Sequence, residues 1–211
     1  MSDAATGQRR DGGSRKVGVG FTVAAGVMVF AILVWVAFSL GFQRMQADLS
    51  LDHKTSLDQP PIFTFEADAQ GWTLVRPGND ELGTGPEYGN ISDSIDALCV
   101  FSWTTGNVSD PEILDAETDE AATLKLLEEQ GHDTANYGTV RLVNESGRSI
   151  ELVYLDADTA TGLDGVIAAR TFVGTGENVI FSMKCEQTGE LDQEIMQDTL
   201  LGVEANLSVS P

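Results

Sequence analysis

The feature that most constrains this chain is a run of 26 residues without a charged side chain, from Val17 to Phe42. Inside a bilayer no water satisfies backbone N–H and C=O groups, so a segment that crosses it has to be helical. A helix of this length spans a hydrocarbon core of about 30 Å with some tilt. The run therefore predicts a single transmembrane helix.

The charged residues around this run predict its orientation. Four basic residues and one acid lie in Arg9–Lys16, just before it. Because Lys and Arg are enriched on the cytoplasmic side, we expect the N-terminus inside and the C-terminal domain outside. A cleaved signal peptide is the competing interpretation, but its apolar core is normally about 7 to 15 residues long. The best cut, after Ala47, also has the bulky Met45 two positions upstream. We therefore predict an uncleaved signal anchor in the cell membrane.

Four regions follow from this topology: a cytoplasmic tail at 1–16, the transmembrane helix at 17–42, a linker at 43–61 and an extracytoplasmic α+β domain at 62–211. The linker is polar, and it ends in Pro60-Pro61, which resists regular structure. The remaining residues are enough for one domain with its own core.

Small residues on the apolar run suggest one possible partner. Gly18, Thr22 and Gly26 recur every fourth residue, on one side of the predicted helix. Small side chains let two membrane helices pack closely, which would give a weak homodimer. The alternative is that glycine is simply common in membrane helices.

The charge balance excludes one class of partner. Residues 43–211 carry 8 basic and 31 acidic side chains, a formal charge of −23. Nucleic acids and anionic lipids would be repelled by such a domain, so we expect no nucleic-acid partner. The charge permits loose association with cations, but solubility in a cell envelope or a salty habitat is the favoured explanation for the excess of acids.

The two cysteines, Cys99 and Cys185, are predicted to form a disulfide. Each lies on the apolar face of a predicted strand, Ile95–Trp103 or Val179–Cys185, and neighbouring strands would bring the two sulfur atoms together. Extracytoplasmic compartments favour such bonds. A redox-active pair usually needs close Cys-x-x-Cys spacing, which these residues lack.

The order of elements predicts the fold class. Gly-rich residues 77–90 are expected to form a long loop and a possible binding element. Runs of strands joined by short turns predict an antiparallel sheet with two helices packed on it. Helices are predicted at 119–130, after a Thr118 cap, and at 190–201. Strands are predicted at 63–67, 72–76, 95–103, 139–143, 150–155, 165–173, 179–185 and 206–209.

Several of these features together resemble a known group. They are the Gly71-Trp72 opening, a helix after the first long strand, the paired strands at 166–173 and 179–185, the helix at 190–201 and the final Leu207-Ser208 strand. This arrangement resembles the PsbP-like α/β sandwich over about residues 62–210, and the glycine-rich insertion departs from it. The resemblance implies an envelope-anchored domain. It implies no shared chemistry, so no functional residue is carried over.

No residue pattern predicts a catalytic, cofactor-binding or metal-binding site. His53 and His132 have neither zinc-site spacing nor a nucleophile nearby. Asp156–Asp164 begins like a calcium loop, but Ile167 replaces the closing glutamate, which favours a plain hairpin.

An acidic run from Asp110 to Glu120 is the one candidate for hydrolysis, because paired carboxylates about 5 to 10 Å apart can cleave glycosidic bonds. No aromatic residues for stacking on sugars cluster there, which favours a solvated loop. The leading functional hypothesis is non-enzymatic binding of a protein or cell-envelope component. The alternatives are an envelope hydrolase using the acidic run and an assembly factor that dimerises through its transmembrane helix.

Overall fold

The computed structural model of the protein describes residues 48–79, 83–90, 99–143, 148–158, 163–186 and 191–210. Residues 47–211 form one compact unit. Within the described ranges, no helix is long and apolar enough to cross a membrane. The predicted transmembrane helix at 17–42 lies outside them.

Strands dominate the part of the chain that the structure describes. The strands are β1 (Ile62–Phe65), β2 (Thr73–Arg76), β3 (Thr84–Asn90), β4 (Cys99–Asn107), β5 (Gly138–Val143), β6 (Ser149–Asp158), β7 (Leu163–Thr171), β8 (Glu177–Glu186) and β9 (Val203–Asn206). The helices are α1 (Pro111–Leu114), α2 (Asp119–Glu129) and α3 (Gln193–Leu200), and a 3-10 turn spans Ala67–Gln70.

Seven strands form one sheet in the order β2-β3-β4-β8-β7-β6-β5. Every neighbouring pair in it is antiparallel. The strands β1 and β9 pair separately, also antiparallel. The protein is thus a mostly antiparallel sheet with a few helices, as predicted, and the edges of the large sheet are β2 and β5.

The two faces of the large sheet are covered by different elements. Successive residues of a strand point to opposite faces. On β6, Leu152 packs in a core that includes Met196 of α3 and Phe63 of β1. The next residue, Val153, packs in a second core with Leu127 of α2. The helices α2 and α3 therefore lie on opposite faces.

Both longer helices begin at a capping side chain. The Thr118 hydroxyl accepts a hydrogen bond from Ala121 N at 3.1 Å, which confirms the predicted start of α2. The Asp192 carboxylate accepts from Ile195 N at 3.0 Å. This second cap lies later than predicted, so α3 begins at Gln193.

The glycine-rich residues 77–90, predicted as a long loop, contain the strand β3. A Cβ atom at Gly85 would lie 2.6 Å from Trp103 Nε1, so only glycine lets β3 lie against this indole. Pro86 lies where the register between β3 and β4 shifts. Since no ladder hydrogen bond is needed from its nitrogen there, proline is tolerated inside the strand.

The described part of the predicted linker, residues 48–61, packs on the domain. Leu49, Leu51 and Leu57 are all buried. Leu49 N donates to Ser149 O, and Leu49 O accepts from Glu151 N, so the segment extends the sheet beside β6. This differs from the predicted linker at 43–61. Isolated leucines in a polar stretch form no periodic pattern that would reveal such a strap.

The predicted disulfide between Cys99 and Cys185 is confirmed, with an S–S distance of 2.04 Å. The two residues lie directly opposite each other on β4 and β8. The bond therefore joins the β2–β4 end of the sheet to the β8–β5 end.

Candidate functional site

The most deeply buried charged groups of the described residues are an ion pair. Arg170 of β7 and Asp119, the first residue of α2, lie with Nη2 and Oδ2 2.8 Å apart, and neither side chain is exposed to solvent. Burial lowers the pKa of Arg170, and the Asp119 carboxylate opposes that shift.

Every polar atom of this pair has a partner, so the pair is structural. Asp119 Oδ1 accepts from the backbone N–H groups of Thr55 and Val173. The guanidinium also donates to three carbonyl oxygens and one hydroxyl, those of Leu49, Ser50, Glu151 and Thr55. Because three of these acceptors belong to residues 48–58, the pair fastens this segment to the sheet and to α2.

Other members of the acidic run also have separate partners. Asp110 caps α1 by accepting from Glu112 N at 2.7 Å. Glu120 accepts from the Tyr137 hydroxyl at 3.0 Å. These contacts, like those of Asp119, fix local structure. In the described ranges, no group of three His, Cys, Asp or Glu side chains is placed to hold a metal ion.

Strands β6 and β7 pair antiparallel, with Asp158 opposite Asp164, as the predicted hairpin requires. The residues between them, 159–162, lie outside the described part of the chain. His53 Nδ1 lies 2.6 Å from Asp52 Oδ1, and both side chains are largely exposed. The desolvated Tyr154 hydroxyl donates to Asp156 at 2.7 Å, and its pKa is raised. None of these contacts forms a nucleophile and base in a cleft.

An open groove of about 440 Å³ lies beside strand β2. Its apolar floor is made by Phe65, Leu74 and Tyr88, and its rim includes Glu66 and Asp68 of the 3-10 turn region. We call these five residues the β2 groove. The rings of Phe65 and Tyr88 meet edge to face, with centroids 4.9 Å apart. Desolvation raises the pKa of the Tyr88 hydroxyl.

The strand β2, at the edge of the sheet, is exposed along its length. All four of its side chains face solvent, and Leu74 and Val75 are 52% and 61% exposed. Among the described backbone hydrogen bonds, none joins another segment to the outer side of β2. A register irregularity between Leu74 and Arg76 marks a bulge at this edge.

The opposite edge strand, β5, is closed by side-chain amides of α3. Arg141 N donates to Gln197 Oε1 at 2.7 Å, and Gln197 Nε2 donates to Arg141 O at 2.8 Å. One turn earlier, Gln193 Nε2 donates to Thr139 O at 2.7 Å. The glutamine amides thus take the place that another strand would occupy.

The carboxylates at the β2 groove are exposed and unneutralised within the described part of the chain. No ion pair involves Glu66 or Asp68 there. Arg76, the only basic residue of β2, pairs instead with Glu87 at 2.9 Å. The groove therefore combines an apolar floor with a negative rim.

The sequence predicted a binding element in residues 77–90, and Tyr88 of the groove belongs to it. The other groove residues were not predicted. The available signal was the adjacent pair Leu74-Val75 in a strand with no alternating polar face.

A scan against protein-family models gives no match to this chain, and no curated protein matches it significantly.

Proposed function

We propose that this protein is a membrane-anchored, extracytoplasmic binding domain that takes up an extended polypeptide as an added strand on β2. In this proposal Val17–Phe42 is the transmembrane helix and the N-terminus is cytoplasmic. The charge-free run supports the anchor. The disulfide Cys99–Cys185 supports an oxidising compartment outside the cytoplasm.

The single observation that carries the binding role is the open edge of β2 beside its groove. An edge strand presents unpaired N–H and C=O groups to a polypeptide, and side-chain pockets next to it select among sequences. The β2 groove lies beside such an edge and exposes Leu74. The amide-closed edge at β5 offers no comparable site along Thr139–Arg141.

A catalytic role has less support. The acidic run would supply the catalytic carboxylates. One of its members, Asp119, is instead buried in an ion pair with Arg170. Asp110 and Glu120 have structural partners as well. The resemblance to PsbP-like domains also stays a proposal. It would make the protein an envelope domain, but it would assign no catalytic chemistry to it.

The topology is tested with protease added to intact spheroplasts. We expect loss of the residues after Phe42, because they would lie outside the membrane. Full protection of the domain in intact spheroplasts, with cleavage only after lysis, would contradict the proposed location.

The binding role is tested by selecting from an unbiased library of displayed peptides against the full chain in nanodiscs of neutral lipid. We expect enriched peptides whose binding is lost in Leu74→Asp and in Val75→Pro. The matched control is Val143→Asp, which alters an exposed apolar residue on the other edge strand. Circular dichroism checks that each variant is folded. An absence of enrichment over empty nanodiscs, or binding that depends on Val143 and not on Leu74, would refute the proposal.

A further inference from the structure

The β2 groove carries information about the chemistry of its occupant. Its floor of Phe65, Leu74 and Tyr88 suits an alkyl chain, and Glu66 and Asp68 lie exposed at its rim. The side chains of Lys and Arg combine both features, because an apolar stem lies along a surface while the charged end stays in water. The face of Tyr88 would also attract a cation.

The charge of the whole domain points the same way. Residues 48–211 carry 7 basic and 31 acidic side chains, a formal charge of −24. Such a field raises the local concentration of cationic segments and speeds their association. An acidic peptide would meet repulsion from the domain and from the groove rim together.

A second copy of this domain fits the β2 edge poorly. Two copies would bring together two surfaces of the same strong negative charge. The bulge between Leu74 and Arg76 also prevents two flat, equal edges from pairing in a long ladder. A single flexible peptide can follow the bulged edge where a rigid sheet cannot.

We infer, building on the proposed function, that the occupant of the β2 groove is an extended peptide segment with Lys or Arg at every second position. Side chains of an added strand alternate between the two faces of the sheet, so every second one lies over the groove. Those side chains place their stems on Phe65 and Tyr88 and their charges near Glu66 and Asp68. The backbone of the segment pairs with β2.

The test uses three synthetic ten-residue peptides against the full chain in nanodiscs of neutral lipid. The first alternates Lys and Val, the second replaces Lys by Glu, and the third is the first with every backbone nitrogen N-methylated. We expect the Lys peptide to bind at least about tenfold more tightly than the Glu peptide. N-methylation should abolish its binding because it removes the backbone donors. Raising salt from about 0.01 to 0.15 M, which shortens the Debye length from about 30 to 8 Å, should weaken it.

Two protein variants locate the charge effect. Glu66→Gln with Asp68→Asn should weaken binding of the Lys peptide by about three- to tenfold, as expected for two exposed ion pairs. Glu117→Gln with Glu129→Gln removes the same number of charges from exposed positions near α2 and should change binding much less.

The outcomes separate this inference from the proposed function. Equal or tighter binding of the Glu peptide, or equal effects of the two double variants, would overturn the basic occupant. So would library peptides that require Leu74 but show no excess of Lys or Arg, although the binding role would then stand. If no library peptide binds at the β2 edge, the proposed function itself fails.

Discussion

The two edges of the seven-stranded sheet differ in whether side chains of a helix cover their backbone. At β5, Gln197 both donates to and accepts from the backbone of Arg141. At β2, all four side chains are exposed, and Leu74 and Val75 expose more than half of their surface. Within the described residues, one edge of the sheet is thus covered by side-chain amides, and no backbone hydrogen bond covers the other.

In the proposed function, this difference keeps one edge of the sheet for binding. Exposed edges invite unwanted pairing, and proteins usually cover them, charge them or shorten them. Here α3 covers one edge with glutamine amides. The other edge strand is short and bulged, which limits self-pairing.

The β5 side of the sheet, which we call the closed end, also holds the buried contacts that join separate segments of the domain. The segment 48–58 lies against β6, and the Asp119–Arg170 pair holds it to α2 and β7. The disulfide Cys99–Cys185 then links this closed end to β4 and through it to β3 and β2. We therefore expect substitutions at the closed end to change stability, and substitutions at the open end to change binding.

The largest effect should come from removing residues 48–60, the segment that packs on the domain. A fragment Asp48–Pro211 should fold, whereas Pro61–Pro211 should be destabilised by more than about 5 kcal/mol or fail to fold. The shorter fragment lacks the buried Leu49, Leu51 and Leu57, so it exposes the core around them, and it leaves Arg170 donors without acceptors. Circular dichroism and urea unfolding of both fragments measure the difference. Equal stability would mean that residues 48–60 are dispensable.

Loss of the disulfide comes next. Cys99→Ser with Cys185→Ser should lower the free energy of unfolding by about 4 to 5 kcal/mol, because a crosslink that closes such a long loop restricts the unfolded chain. Urea unfolding of Asp48–Pro211 with and without the substitutions gives the value. Mass spectrometry of non-reduced digests checks the bond, and two freely alkylated thiols in oxidised protein would contradict it.

Breaking the buried ion pair should cost about 3 to 5 kcal/mol. Asp119→Ala leaves the Arg170 guanidinium buried without its counter-charge. Replacing both residues, as Asp119→Leu with Arg170→Met, should cost less than Asp119→Ala alone, since no charge is left behind. A double variant as unstable as the sum of its parts would show that the two side chains are not coupled.

Opening the closed edge should have a smaller effect. Gln197→Ala removes the side-chain partners of the Arg141 N–H and C=O, and should cost about 0.5 to 1.5 kcal/mol because water can replace them at this exposed edge. It should also promote self-association, measured by sedimentation velocity. Glu194→Ala, on an exposed position of the same helix, is the matched control. A variant that stays as stable and as monomeric as the control would remove the contrast between the edges.

The smallest stability effect is expected at β2. Leu74→Ser should change the free energy of unfolding by no more than about 0.5 kcal/mol, because the side chain is already half in solvent. The same substitution should weaken peptide binding. A large loss of stability measured by urea unfolding would mean that Leu74 serves the core and not a partner.

Local patterns in the sequence were enough for part of this architecture. The start of α2 follows from Thr118, and the disulfide follows from the phase of two alternating strands. Strand β3 was not predicted because Gly85 and Pro86 are poor strand formers. The reason for the glycine is its close contact with Trp103, which the sequence does not reveal. Its place beside β2 depends on strand order, which local periodicity does not encode.

The candidate site was harder to predict for the same reason. Whether Leu74 and Val75 are buried or exposed is decided by which strand lies at the edge. Arg170 did carry a local signal, since a basic residue among apolar neighbours in a strand needs a buried partner. Its partner, Asp119, is 51 residues away in sequence and could not be singled out from the other acids of its run.

Amide hydrogen exchange of the full chain tests the contrast between the two edges most directly. In the free protein, the Arg141 amide should be protected by Gln197, and the outward amides of Thr73–Arg76 should exchange freely. Adding the Lys–Val peptide should protect the β2 amides and leave Arg141 unchanged. Slow exchange at β2 in the free protein, or protection that appears at β5 and not at β2, would contradict the account.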